Sequence, residues 1–294
     1  MDRRLKSIIS SYITLTKPTI MLLVLFTGAT ALIVEGSMVH EPGRFLLVML
    51  GLYLTGGCAN ALNQYFERHI DAKMERTKKR RPLPMGEISS THALIFSITI
   101  GVTGVLVFAF VFNLLTAILS LSTILFYSLF YTLYLKPNTP QNIVIGGAAG
   151  AMAPVGAWAA ATGTMAVAPW LMFAIVFLWT PPHFWALALF CKDDYVKAKL
   201  PMMPVVKGDD STLRQMFLYT LALVAISLSL IYFFSGLFYG LAAVVLGFFF
   251  IKKAYRVMMN KSEKLIRGLF GYSIIYLFAL FFAMIIDSFI GVKI

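Results

Sequence analysis

The chain has 294 residues, 59% of them hydrophobic and only 13% charged. A soluble domain carries about 25% charged residues, so this composition excludes an ordinary soluble enzyme and indicates a polytopic membrane protein. The formal net charge is +12, but cations gathered in membrane loops account for it and call for no nucleic acid.

The first twelve residues are basic, carry Asp2 and lack a cleavable apolar core, so neither a signal peptide nor a transit peptide is expected. About 20 apolar residues cross a bilayer. Nine runs reach or approach that length, near 19–36, 45–64, 92–110, 114–134, 142–162, 168–189, 214–235, 237–252 and 268–290. The eighth is short and is split from the seventh only around Ser235-Gly236. Of 25 cations, 23 fall on one side. They include Arg3, Arg4, Lys6 and Lys17 before the first run, Lys136 after the fourth, and clusters after the second, sixth and eighth. Arg44 and Lys293 stand opposite. This asymmetry predicts a cytoplasmic amino terminus and an external carboxyl terminus. Cys58 and Cys191 lie at run ends and read as small packing residues rather than a disulfide or a metal site.

The stretch after the second run is the most informative: Asn63-Gln-Tyr-Phe-Glu67-Arg-His-Ile-Asp71-Ala-Lys-Met-Glu-Arg76-Thr77-Lys-Lys-Arg80-Arg-Pro82. Asn63, Glu67 and Asp71 fall at i, i+4 and i+8, so on a helix they drift by only about 80° and share one face. Three oxygen-bearing side chains on one face suit a hard divalent cation such as Mg²⁺. The cations behind them, Arg76, Lys78, Lys79, Arg80 and Arg81, suit phosphate oxygens. Metal and phosphate at a membrane surface point to an enzyme acting on a lipid diphosphate; the plainer reading is an acidic helix end before a basic loop. A diphosphate leaves only once its charge is neutralised. Departure from an allylic carbon leaves a delocalised cation that aromatic faces shelter. Tyr65, Phe66, Tyr127, Phe130, Tyr131 and Tyr134 are candidates.

The fourth run ends Tyr131-Thr-Leu-Tyr134-Leu-Lys136, with Asn138-Thr139-Pro140-Gln-Asn142 after it. Lys136 is either a snorkelling anchor or a further diphosphate contact. In the fifth run, Gly146 and Gly150 have the small-xxx-small spacing of close helix packing, a reading preferred to contact with substrate. The sixth run contains Trp179-Thr-Pro181-Pro182-His183-Phe-Trp185. Two prolines break the backbone ladder in lipid unless neighbours repair it. An imidazole at that depth is a functional candidate, as a haem-iron ligand or a proton donor, or else a satisfied core histidine. Asp193-Asp194-Tyr195 is a second acidic site, of which one Asp is expected to reach a shared metal.

The stretches 65–91 and 191–213 resemble each other, each an acidic site, then cations, then a proline-bearing exit (Arg81-Pro82-Leu83-Pro84 and Leu200-Pro201-Met202-Met203-Pro204). The runs before them are four apart. This suggests two four-helix halves with the ninth span appended, their acidic sites facing one cavity near the cytoplasmic surface. Residues 1–294 read as a single transmembrane domain.

At this point the chain resembles the UbiA superfamily of intramembrane prenyltransferases, and its haem-modifying branch in particular. Three segments carry the likeness. Asn63 to Arg80, as Asn-x3-acid-x3-Asp-x2-Met-x-Arg-Thr-x2-Arg, marks the superfamily. Tyr131-Thr through Lys136 to Asn142-Ile-Val-Ile-Gly-Gly marks the branch, as does Trp179-Thr-Pro-Pro-His-Phe-Trp-Ala-Leu with Asp194-Tyr195 and Pro201-Met-Met-Pro-Val-Val. The resemblance implies an all-α bundle of nine transmembrane helices with a cytoplasmic-side cavity and cap loops, set in a bacterial plasma (inner) membrane. It implies Mg²⁺-dependent transfer of a farnesyl group from farnesyl diphosphate to a vinyl group of haem B, giving haem O. Haem B is then a substrate and not a cofactor, membrane lipids are neighbours, and a downstream haem A synthase is an expected partner.

Carried over by position, Asn63, Glu67 and Asp71 match the first metal–diphosphate motif and Asp194 the second. Arg76, Arg80 and Lys136 match basic positions near the diphosphate. Tyr131 and Asn142 join them as substrate-binding residues. His183 matches the family's histidine and is expected to serve the haem side of the cavity, with Trp179 and Trp185 stacking on the macrocycle. The chain departs from the pattern in three places. Glu67 stands where Asp is common, Arg81 where many members have Pro, and Lys199 where Gly is usual. Two other readings stand beside this one. A prenyltransferase of an aromatic quinone precursor lacks a use for the His183 segment. A membrane transporter calls for polar groups at mid-membrane in broken, inverted halves.

Overall fold

The computed structural model describes residues 3–234 and 236–290, with side chains from residue 8 onward except at 233–235. Asp2, Ser235, Lys293 and the side chains of Arg3, Arg4 and Lys6, which entered the charge and boundary arguments, lie outside the described residues. Among the described residues nine helices are long and apolar enough to cross a membrane. They are Pro18–Glu35, Pro42–Asp71, Ser90–Phe112, Leu114–Asn138, Asn142–Thr162, Val167–Phe190, Gly208–Tyr232, Leu237–Asn260 and Glu263–Ile290, here the first to ninth spans.

They follow the nine predicted runs in order, with two informative differences at their ends. The second span continues past the apolar run to Asp71 because Asn63, Glu67 and Asp71 are buried among partners and need not exit. The eighth is 24 residues and not short. Its Lys252 and Lys253 lie over the rings of Phe248 and Tyr272, 5.9 and 5.3 Å from the centroids. Ammonium groups held over aromatic faces let a helix run on through lysines.

The first span packs on the second, fifth and ninth, the sixth on the fifth, seventh and ninth, and the eighth on the seventh and ninth. The ninth span therefore closes a ring between the halves instead of standing appended to them. Its buried residues Ser273, Tyr276, Leu277, Leu280 and Phe281 fall at i, i+3, i+4, i+7 and i+8, the stripe of a helix pressed into a bundle. Phe278 stacks on Phe26 of the first span, with centroids 4.9 Å apart.

The double proline does not break the sixth span, which is continuous from Val167 to Phe190. Pro181 lacks the N–H that would serve the Phe177 carbonyl. Thr180 Oγ1 donates to that carbonyl instead, at 2.8 Å, so a neighbour repairs the ladder as lipid requires. Lys199 adopts the left-handed region, φ 55°, which favours glycine and accounts for glycine being usual at that turn; nothing in the structure explains the lysine. Cys58 is buried, Cys191 is half-buried, and neither is in a disulfide.

Candidate active site

A cavity of about 280 Å³ lies between the first, second, fourth, fifth and sixth spans. Its wall has two parts. Lys17, Asn63, Arg76, Arg81, Lys136 and Tyr195 form one end, where the loops 72–89 and 191–207 lie, and the remainder is mostly apolar.

The polar end starts from the acidic face of the second span. Asn63, Glu67 and Asp71 are each at most 2% exposed. Each is engaged by a cation. Lys17 Nζ donates to Asn63 Oδ1 at 2.7 Å, and Asn63 Nδ2 donates to Thr132 Oγ1 at 3.0 Å. Lys136 Nζ donates to Glu67 Oε1 at 2.5 Å. Arg81 pairs with Asp71 and approaches Glu67 Oε2 at 3.5 Å. The cavity wall thus presents the cations, with the two carboxylates behind them. Lys17, Arg81 and Lys136 outnumber Glu67 and Asp71, so the cluster keeps a surplus of positive charge facing the cavity. Burial holds the Lys17 ammonium well below the usual lysine range, and Arg81 adds to this, while Glu67 and Asp71 oppose it.

Local structure explains why these groups converge. Thr77 Oγ1 donates to the Asp71 carbonyl at 2.8 Å, and the Arg81 amide to the Thr77 carbonyl at 3.0 Å. The loop is therefore folded back over the end of the second span, which turns Arg81 inward. Arg80 is exposed and lies off the cavity wall. Of the basic positions Arg76, Arg80 and Lys136 expected near a diphosphate, Arg76 and Lys136 line the cavity and Arg80 does not, while Arg81 does. On the fourth span, Phe126–Leu135 is a π-helix. Its i→i+5 bonds widen the turn, so Tyr127, Tyr131 and Lys136, spaced by four and five, all reach the cavity. The Tyr127 and Tyr131 rings stack with centroids 5.1 Å apart. Phe130 and Tyr134 are exposed, and Tyr65 and Phe66 pack on each other away from the wall.

Asp194 lies elsewhere than expected. Its carboxylate accepts the backbone N–H groups of Glu75 at 3.2 Å and Arg76 at 3.0 Å, at the start of the short helix Glu75–Lys78. Among the described residues no three His, Cys, Asp or Glu side chains cluster for a metal, so Asp194 is not gathered with Glu67 and Asp71. It ties the two loops together and places Arg76, which lines the cavity and whose buried Nε has no protein partner among the described residues.

Asn142 is fully buried, donates from Nδ2 to the Thr139 carbonyl at 2.6 Å, and is off the wall. Gly146 and Gly150 divide the two readings of their spacing. Gly146 sits against the Tyr131 ring, where a Cβ would overlap it, whereas Gly150 faces the open cavity.

His183 is 7% exposed and not on the cavity wall. Its ring lies between Trp179 and Phe270, with centroids 4.2 and 4.4 Å away and planes within about 20°. Its Nδ1 is 2.7 Å from Ser273 Oγ. Both faces of the imidazole are covered. Trp179 gives its Nε1–H to the Ser273 carbonyl at 2.7 Å, and Trp185 is fully buried. Neither indole presents a free face to a macrocycle, so this segment builds the contact between the sixth and ninth spans.

Two residues were missed. Lys17 was counted only as a cation preceding the first span; its place immediately before Pro18, which fixes a helix start, was the available signal. Thr132, which orients Asn63, carried no signal.

This bundle has counterparts among known proteins. The chain belongs to the UbiA prenyltransferase family, whose model matches residues 23–285, and it is a prenyltransferase and a multi-pass bacterial membrane protein. It is 47% identical to a protoheme IX farnesyltransferase from Microcystis aeruginosa, over 95% of this chain and 89% of that one. It is 45% identical to another from Picosynechococcus sp., over 96% and 90%. A solved structure concerning digeranylgeranylglyceryl phosphate synthase in membranes superposes with a TM-score of 0.79 at 18% identity, covering 98% of this chain and 99% of that one. A UbiA homolog from Archaeoglobus fulgidus bound to DMAPP and Mg²⁺ gives 0.61 at 16% identity, over 94% and 99%.

Proposed function

We propose that the chain transfers the farnesyl group of farnesyl diphosphate to a vinyl group of haem B, giving haem O. The observation that carries this is the two-part cavity: cations backed by buried carboxylates at one end, and an apolar channel behind them. That wall fits a diphosphate with a long hydrocarbon tail. The relatives supply the acceptor, since both are protoheme IX farnesyltransferases.

Asn63, Glu67 and Asp71 offer only oxygen donors at successive turns of one helix, a set that fits a hard cation. These three residues would hold Mg²⁺, which would supply charge neutralisation for the departing diphosphate; the Archaeoglobus homolog is bound to DMAPP and Mg²⁺. Asp194 contributes by holding Arg76 toward the phosphates. Lys17, Lys136 and Arg81 exchange the side-chain oxygens of Asn63, Glu67 and Asp71 for phosphate oxygens as the substrate enters, and Arg81 is suited to a bidentate grip. The stacked Tyr127 and Tyr131 rings give a π face to the allylic carbon as positive charge develops. The apolar wall keeps water from that carbon until the vinyl π bond attacks it; water then adds to the carbocation left on the other vinyl carbon and loses a proton, giving the hydroxyl-bearing farnesylated side chain, while the diphosphate leaves on the cations.

The cation asymmetry supports an orientation with the polar end of the cavity toward the cytoplasm and the carboxyl terminus outside. Haem O would then pass to a haem A synthase. Purified protein incubated with haem B, farnesyl diphosphate and Mg²⁺ is expected to yield a pigment heavier by one farnesyl group and one hydroxyl taken from water. Farnesylation of a quinone precursor instead, with haem B untouched, would overturn the assignment.

A further inference from the structure

We infer that Leu52 forms the floor of the prenyl channel and sets the accepted chain at about three isoprene units, an inference that rests on the farnesyl-transfer reading and names the residue that measures the donor.

The second span carries the cavity wall from Asn63, at the charged end, down to Leu52. Those eleven residues of helix descend about 16 Å at 1.5 Å each. An extended chain gains about 1.2 Å per bond, the geometry that gives a peptide residue of three bonds about 3.6 Å. A farnesyl main chain of about a dozen carbons therefore spans roughly 14 Å and ends near Leu52. One isoprene unit more reaches about 19 Å and meets the floor; one fewer stops near 9 Å and leaves the lower channel empty.

What closes the channel is one side chain set between two glycines. Leu52 Cδ1 lies 2.6 Å from where a Cβ on Gly28 of the first span would stand, and Cδ2 lies 3.7 Å from the same point on Gly156 of the fifth. The isobutyl group thus fills the notch that the two missing side chains leave across the bundle, and it is only 6% exposed. Gly156 is also the deepest wall residue of the fifth span, as Leu119 is of the fourth. Escape toward the third span is blocked, because the fully buried Phe108 ring packs on Gly51 next door.

Two substitutions move this floor in opposite directions. Leu52→Ala deepens the channel. Gly28→Ala places a methyl where Leu52 Cδ1 stands and drives the leucine up into the channel. The full-length purified protein is assayed with haem B and Mg²⁺ against geranyl, farnesyl and geranylgeranyl diphosphates. Leu52→Ala is expected to raise the geranylgeranyl-to-farnesyl ratio of kcat/KM by roughly tenfold or more, and Gly28→Ala to raise the geranyl-to-farnesyl ratio similarly, the scale on which hydrophobic pockets discriminate chain length. Thermal unfolding of each variant reports its folding. Where Leu52→Ala is unstable, Leu52→Val is expected to shift the ratio the same way by less. Ratios unchanged within about twofold in both directions would show that the chain is not measured at Leu52, overturning the inference. Wild-type protein that leaves haem B unmodified with every donor is a separate result, which removes the farnesyl-transfer reading itself.

Discussion

Lys17 Nζ lies 2.7 Å from Asn63 Oδ1, so the first residue of the chain's entry into the bundle meets the first residue of the acidic face. Removing that ammonium by Lys17→Met is expected to weaken farnesyl diphosphate binding roughly ten- to a hundredfold, equivalent to the about 1.5–3 kcal/mol of a hydrogen bond to a charged group. The pH dependence has a definite sign. The protonated amine is the form that binds phosphate, and burial lowers its pKa. Affinity is therefore full below that lowered pKa and falls as pH rises through it. Lys17→Arg keeps the charge and should abolish that fall. Titration of farnesyl diphosphate across a pH series checks both variants, and an identical fall in Lys17→Arg would assign it to another group.

Arg81 and Arg80 are neighbours with opposite surroundings. Arg81→Ala removes the partner of buried Asp71. Breaking a buried ion pair costs about 3–5 kcal/mol, so both stability and diphosphate affinity should drop sharply. Arg80→Ala, at an exposed position, is expected to change affinity by no more than about threefold, in line with the up to about 1 kcal/mol typical of an exposed charge. Calorimetric binding of farnesyl diphosphate to each variant discriminates them; a larger loss for Arg80 would show that the loop 72–89 rearranges on binding.

Asp71→Asn keeps the size of a 2% exposed side chain and removes a metal-suited carboxylate. The remaining oxygen still accepts from Arg81, which also keeps Glu67 within 3.5 Å, so the protein should fold with a lowered unfolding midpoint, while farnesyl transfer is lost and is not recovered by excess Mg²⁺. Activity near that of the wild type at low Mg²⁺ would remove Asp71 from the metal set.

Asp194→Ala leaves the amides of Glu75 and Arg76 without their acceptor. Losing such a cap costs about 1 kcal/mol. The expected outcome is a rise in KM for farnesyl diphosphate of roughly fivefold with little change in the Mg²⁺ requirement, and Asp194→Asn should recover much of it because one oxygen still accepts. A large shift in the Mg²⁺ requirement would instead place Asp194 on the metal.

His183→Ala opens a void between Trp179 and Phe270 and frees Ser273 from its 2.7 Å contact. Large-to-small changes in a packed core cost about 2–5 kcal/mol, so the unfolding midpoint should fall while the absorption spectrum of added haem B is preserved. A changed haem spectrum in a variant that still folds would return His183 to the acceptor site.

The sequence by itself determined what is local. Nine apolar runs follow from the thickness of a bilayer, and Asn63, Glu67 and Asp71 share a face because eight residues of helix overshoot two turns by only about 80°. Tertiary structure decided what depends on where side chains from distant segments point. Arg80 and Arg81 are equivalent in a linear reading; only the Thr77 turn, folded back onto the Asp71 carbonyl, sends one outward and the other in. Lys17 looked like one more interfacial cation until the second span met it. Neither tryptophan around His183 is free, because the ninth span, nearly a hundred residues later, covers Trp179 and the seventh packs Tyr219 against Trp185. Spacing along a chain fixes which residues share a helix face, but the partner of that face is chosen by packing among helices, and packing is not written in any one of them.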